Sequence, residues 1–335
     1  MKVGFDISQL AFLGGVSSYL KNLTLWLDKR GDFEMVYFYS SLRRNYSGSL
    51  KNVKSFKIPP TILEPLFNRL RVLPIETFIG KVDVFHSSDW TQPPSRAKKV
   101  TTFHDVIPLK FPELSVPKVI NVHKRRLELV EREVDVVIAV SQSTKNDLIE
   151  VSNIPEKKIK IVYEAVREGF IPQPAKKVEA FRKRFGLPKK FILAIGGVGN
   201  RRNLQRVRQA SGRYNLVITG ETIPQVSDVD MPFLYSAATI LLYPSFYEGF
   251  GLPILEAFGC GCPVVTSDCS GMSEVAGDAA ILVDPKNLDS IKKGIKEAIA
   301  EKVKLREKGL ARAKDFSWEK CAAETADVYN SIYQK

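Results

Sequence analysis

Runs of residues that are largely apolar, with few polar interruptions, recur through this chain, separated by segments with helical spacing. In the first half they occupy residues 3–7, 35–39, 82–85, 100–103 and 134–140. Between the first two, Val16, Tyr19, Leu20, Leu23 and Leu27 recur at the three- and four-residue intervals of a helix with one buried face. A strand with one wet face alternates apolar and polar residues, whereas an unbroken apolar run is buried on both faces. Parallel sheets covered by helices on both sides are therefore expected, the doubly wound α/β arrangement. A charged, proline-containing stretch at 167–189 interrupts the pattern, which restarts with runs at 191–195, 215–219, 239–243, 263–266 and 280–283. Two Rossmann-like domains are expected, at 1–168 and 169–318. Loops at the carboxyl ends of their strands would collect ligand groups facing an interdomain cleft.

With 335 residues each half can bury a core of its own, and 44% hydrophobic with 26% charged residues excludes a disordered chain. The first residues run straight into a strand pattern, without the basic flank and apolar stretch of a secretion signal, so a cytoplasmic location is expected. The longest uncharged run, 231–247, is broken by Pro232, Ser236, Thr239 and Pro244 and reads as buried helix, strand and turn rather than a membrane span. Cys260, Cys262, Cys269 and Cys321 form neither a C-x-x-C pair nor a Cys/His ligand set, and no metal is expected. Neither Gly14-Gly15 nor residues 196–199 make G-x-G-x-x-G, which argues against a nicotinamide-dependent dehydrogenase. The net charge of +13 is spread over both halves and suits phosphorylated substrates or anionic lipid headgroups; no nucleic-acid motif accompanies it, and no nucleic acid partner is expected. Lys124, Arg125 and Arg126 read as a solvated helix face, with His123 on the surface of the same helix. The stretch 59–80 mixes Ile62, Leu63, Leu66, Phe67, Leu70 and Ile75 with Arg69 and Arg71, and suits either buried helix packing or peripheral membrane contact.

Two glutamates eight positions apart, Glu248 and Glu256, bracket Gly249-Phe250-Gly251-Leu252-Pro253. Glycine is costly inside a helix and proline is tolerated only in its first turn, so one helix cannot carry both acids. A loop leading into a helix near Pro253 is expected, with Glu256 in the first turn beside the amides of Phe250, Gly251 and Leu252. Unpaired amides at a helix start attract an anion such as a diphosphate, while carboxylates accept hydroxyl hydrogens from sugar diols. A nucleotide diphosphate sugar has all these parts. The same spacing also suits an ordinary loop with a dipole-stabilising acid.

The segment from Tyr243-Pro-Ser-Phe-Tyr-Glu-Gly-Phe-Gly-Leu-Pro to Pro263-Val-Val-Thr-Ser-Asp, followed by Ser273-Glu-Val-Ala-Gly-Asp, resembles the donor site of the GT-B fold retaining glycosyltransferases of family 4. Phe316-Ser-Trp-Glu-Lys resembles that family's closing helix, here 319–335, which rejoins the first domain. Gly14-Gly15-Val16, Phe85-His86-Ser87, Thr102-Phe103-His104-Asp105 and Val140-Ser141-Gln142-Ser143 fit as well, so the likeness spans almost the whole chain. It looks closest to members that add mannose or similar hexoses during bacterial surface-polysaccharide and lipopolysaccharide assembly.

The resemblance implies roles residue by residue. Glu256 would hold the nucleotide ribose and Glu248 the transferred sugar, with the amides of Phe250, Gly251 and Leu252 cradling sugar and phosphate. Arg202, in Gly199-Asn-Arg-Arg-Asn203, matches the position of a cation on the diphosphate, with Arg201 as the alternative; Gly15 lets backbone approach the phosphates, and His104 faces the donor sugar. Catalysis would rest on His104 and Glu248, without metal or other cofactor. Glu274 reads as a loop cap. Two departures stand out: Gly197 replaces an arginine found in many relatives, and Glu164-Ala165-Val166 replaces the usual Asn-Gly-Val turn. The implied activity is retaining transfer of a hexose from a GDP- or UDP-sugar donor to a glycan or lipid-linked acceptor. A nucleotide-sugar epimerase of the same fold, or a degenerate scaffold binding a nucleotide or membrane, remains the alternative.

Overall fold

The protein is described from a computed structural model covering residues 1–12, 14–197 and 200–334. Val198 and Gly199, which belong to the glycine-rich segment and to the 199–203 motif, lie outside the described residues, as does the last residue of the closing helix. The chain divides into two compact units, Met1–Glu164 with Trp318–Lys335, and Ala165–Ser317, where the sequence reading set its divides after 168 and 318.

Among the described residues the first unit holds seven strands: β1 (Lys2–Asp6), β2 (Glu34–Ser40), β3 (Val53–Phe56), β4 (Val84–Ser87), β5 (Lys98–Phe103), β6 (Val136–Ala139) and β7 (Ile159–Ile161). They pair in parallel in the order β3-β2-β1-β4-β5-β6-β7. Val3 on β1 faces Met35 on one side and Val84 on the other, so the order reverses between β1 and β4. The five long apolar runs form the interior strands. The sequence reading missed β3 and β7, the two edges, because an edge strand needs no continuous burial: Lys54, Ser55 and Lys160 are exposed. One sheet face buries Phe38, Phe67, Ile75 and Phe85 and, further along the same face, Phe103, Leu127, Val130 and Leu148, while the other face carries Phe5, His86 and Thr102. The helix Trp318–Tyr333 returns to this unit, where Trp318 lies 6.0 Å from Tyr19 and Tyr329 bonds His86 at 2.7 Å.

Two expectations fail in the helix Pro117–Glu133. His123 is buried, and Arg126 is fully so. Arg126 shares a face with Val122 and Val130, four residues either way, and that face covers the sheet. Its charge is accommodated by Thr101, by the Thr102 carbonyl and by the Phe103 ring 4.0 Å away. In the 59–80 stretch Leu63, Phe67 and Ile75 are buried, whereas Ile62 and Leu70 are exposed. Among the described residues no helix is long and apolar enough to cross a membrane.

The second unit has β8 (Ile192–Ala194), β9 (Leu216–Ile218), β10 (Ile240–Tyr243), β11 (Val264–Ser267) and β12 (Ile281–Val283), parallel in the order β12-β11-β10-β8-β9. All five were expected. Ile192, Ile218, Leu242, Val265, Ile291 and Ile295 share its core. Asn287 caps the helix Leu288–Ala300 by accepting from the amides of Asp289 and Ser290, a contact that contributes about 1 kcal/mol. The strand order reverses between β8 and β10, which puts the loops after these two strands at the ligand-binding edge of such a sheet.

Candidate active site

The loop after β10 carries Glu248 and turns into the helix Leu252–Gly259. Gly251 caps that helix at φ 121°, a backbone region that favours glycine, and Pro253 takes its second position. The helix starts near Pro253 as expected, at Leu252, but Glu256 falls in its second turn rather than its first.

Glu248 is 8% exposed, and each of its carboxylate oxygens has a partner. Its Oε2 accepts from Arg201 Nη1 at 2.5 Å, its Oε1 from the Tyr243 hydroxyl at 2.7 Å, and Arg202 Nε lies 3.5 Å from Oε1. The Arg202 guanidinium stacks 4.8 Å from the Tyr243 ring, while its buried Nη1 has no hydrogen-bond partner. Burial alone would lower the Arg202 pKa, but Tyr243 and Glu248 outweigh it and raise the value, so Arg202 stays cationic. A backbone clamp holds the loop: the Glu248 amide donates to Ser270 Oγ at 3.2 Å, and the Gly271 amide to the Glu248 carbonyl at 3.1 Å. A Cβ on Gly271 would come within 2.3 Å of the Gly249 carbonyl oxygen, so this approach requires glycine.

Glu256 repeats the pattern. Arg167 donates to Oε1 through Nε at 2.9 Å and Nη2 at 2.8 Å, and the Tyr235 hydroxyl donates to Oε2 at 2.9 Å. Burial raises the Glu256 pKa more than Arg167 and Tyr235 lower it. Arg167 also meets Asp228 at 2.9 Å and lies over the Phe170 ring. Each carboxylate oxygen has more than one lone-pair site, so both glutamates retain capacity to accept hydroxyls.

Gly197 gains a steric reading. A Cβ there would stand 3.2 Å from Arg202 Cγ, so the space a side chain at 197 would take is filled by Arg202. With Arg201 and Arg202 both on Glu248, two guanidiniums gather after β8 despite the departure.

In the first unit His104 follows β5, its Nδ1 2.7 Å from Glu164 Oε1 and its ring edge-on to Tyr19 at 4.6 Å. Burial disfavours its charged form, but Glu164, and to a lesser degree Asp89 and Asp105, raise its pKa above the ordinary value. Gly15 is the first residue of the helix Gly15–Arg30, which Gly14 caps at φ 137°. His86 is a sheet residue between Tyr329 and Thr102, and burial pushes its pKa down to about 3.

Thus Glu248, Arg202, Phe250, Gly251, Leu252 and Glu256 lie together in the second unit, and Gly15 and His104 in the first. Glu274 sits inside the helix Ser270–Ala276, where its carbonyl accepts from Arg312 rather than ending a loop. The sequence reading missed Arg167, Tyr235 and Tyr243 as partners of the glutamates, and Glu164 as partner of His104. Only Glu164 left a trace, as a departure from the usual turn.

The family described as "Glycosyl transferases group 1" matches residues 141–316, and "Glycosyltransferase Family 4" matches residues 13–168. The chain is 31% identical over 284 residues to the O-antigen chain mannosyltransferase B of Escherichia coli, with 74% of each chain covered. It is 26% identical to the O-antigen chain mannosyltransferase RfbU of Salmonella typhimurium, with 61% of each covered. Among solved structures, sucrose-phosphate synthase from Thermosynechococcus elongatus superposes with a TM-score of 0.80 at 16% identity, over 99% of both chains. WaaG, a glycosyltransferase involved in lipopolysaccharide biosynthesis, superposes at 0.73 with 14% identity, over 97% of this chain and 99% of its own. These likenesses show the GT-B fold.

Proposed function

This chain belongs to the group 1 glycosyl transferases, and from that membership we propose that it transfers mannose from a nucleotide diphosphate donor to a glycan or lipid-linked acceptor in lipopolysaccharide or surface-polysaccharide assembly. The observation that carries the reading is Arg202, whose Nη1 lacks a partner beside Glu248 at the strand-order reversal of the second unit. There the diphosphate accepts from Arg202, and the departing charge is stabilised by Arg201 and Arg202 without a metal. Glu248 accepts hydroxyls of the transferred sugar, and Glu256 those of the ribose. The loop Phe250-Gly251-Leu252 lines the phosphate side.

Transfer proceeds with retention. The acceptor hydroxyl attacks the anomeric carbon on the face the diphosphate leaves, the bond to the leaving oxygen breaks, and that oxygen takes the acceptor proton. The relatives named as O-antigen mannosyltransferases support mannose as the sugar. The exposed Ile62 and Leu70 beside Arg69 support peripheral membrane contact during work on a lipid-linked acceptor.

A thermal-shift panel of GDP- and UDP-sugars tests the donor, since a ligand that binds the folded state raises its apparent stability. GDP-mannose or another mannose donor should raise Tm and release free nucleotide when acceptor is present. An epimerase would leave the nucleotide attached to the product. Undiminished transfer by both Glu248→Ala and Glu256→Ala would sink the assignment.

A further inference from the structure

A second cluster of buried polar groups lies in the first unit, at the carboxyl ends of β4 and β5. Asp89 Oδ1, Gln92 Nε2, His123 Nδ1 and Arg126 Nε and Nη1 are all buried and make no hydrogen bond. Native interiors leave few such atoms, and three of these, Gln92 Nε2, His123 Nδ1 and Arg126 Nε, have no ion-pair partner either. Arg126 Nη1 and Asp89 Oδ1 approach to 3.3 Å, a charge pair whose arginine is fully buried. The loop carrying Asp89 is held rigidly: Asn68 donates to the Trp90 carbonyl at 3.0 Å and accepts from the Gln92 amide at 2.8 Å, and Arg71 donates to the Gln92 carbonyl at 2.8 Å. Trp90 is the member that reaches solvent, 37% exposed, with its ring 5.7 Å from that of His123.

We propose that Asp89 and Trp90, backed by His123 and Arg126, form a subsite for a neutral sugar ring of the acceptor. The chemistry selects the class. The unmade bonds include donors on Arg126 and Gln92 and a ring nitrogen of His123, and a hydroxyl both gives and takes a hydrogen bond. Phosphate is anionic, and its charge would meet the Asp89 carboxylate. The Trp90 ring supplies the apolar surface that the C–H face of a sugar covers. Asp89 contacts the ring directly, Arg126 acts through Asp89 as a positioning residue, and ordered water carries the contacts to the deeper Gln92. The inference rests on the transferase reading for its probe, a mannose unit, but its test needs no turnover.

Methyl α-D-mannopyranoside is titrated into the full chain without donor, followed by saturation-transfer NMR and by tryptophan fluorescence. Trp26, Trp90 and Trp318 are the only tryptophans of the sequence. The wild type should saturate, with the fluorescence change absent in Trp90→Ala. Asp89→Asn should weaken binding about tenfold, and Trp90→Phe should retain most of it, which separates loss of the ring from loss of the fold. Binding by both Trp90→Ala and Asp89→Asn at wild-type strength overturns the proposal, as does displacement of the glycoside by inorganic phosphate or no saturable binding by the wild type. Mannoside binding without transfer from any donor removes the proposed reaction and leaves this subsite standing.

Discussion

The Glu164 carboxylate stands 2.7 Å from Nδ1 of His104, a residue sixty positions away in the chain. The carboxylate fixes the tautomer by taking the Nδ1 proton as a hydrogen bond, which directs Nε2 as the remaining functional nitrogen. Burial opposes the charged ring, yet Glu164 raises its pKa. A raised histidine pKa stabilises the fold fully below about pH 6.5, and that contribution is lost as pH rises through the folded value.

Glu164→Gln should therefore bring the His104 titration down. The chain has three histidines, and those of His86 and His123 are both lowered by burial, so ring-proton NMR reads His104 as the one titrating above the ordinary value. An unmoved His104 titration in Glu164→Gln would rule out the pairing.

Arg167→Ala leaves the Glu256 carboxylate buried with Tyr235 as its remaining donor. Removing one partner of a buried pair costs about 3 kcal/mol, which chemical denaturation should detect. Adding Glu256→Gln should recover part of that loss, because a neutral amide does not need the cation. Equal stability of the single and double variants would place the cost elsewhere.

Arg202→Met keeps the stem over Tyr243 and removes the charge. Loss of transition-state stabilisation should lower kcat by roughly a hundredfold or more with a smaller change in donor binding. Arg201→Met, on the more exposed of the two arginines, should cost less. Steady-state kinetics with the donor found by thermal shift decides between them.

Gly271→Ala drives a methyl into the Gly249 carbonyl and displaces the loop that carries Glu248. Overpacking against backbone costs about 1–3 kcal/mol, and transfer should fall even where the protein remains folded. Full activity with unchanged Tm would show that the loop does not depend on this contact.

Sequence alone determined the two doubly wound sheets, because burial on both faces writes itself into local runs such as 134–140 and 239–243. It also singled out the Glu248–Glu256 segment, where glycine and proline restrict the backbone whatever surrounds them. The tertiary structure decided how charged residues are paired. Arg126 looked solvated beside Lys124 and Arg125 until its face proved to cover the sheet, and Glu164 was an unexplained departure until His104 lay against it. The edge strands β3 and β7 escaped notice because their neighbours on one side are missing. Periodicity is a property of adjacent residues, whereas the burial of a charge depends on a partner brought close by the fold, as Arg167 is to Glu256 across 89 positions.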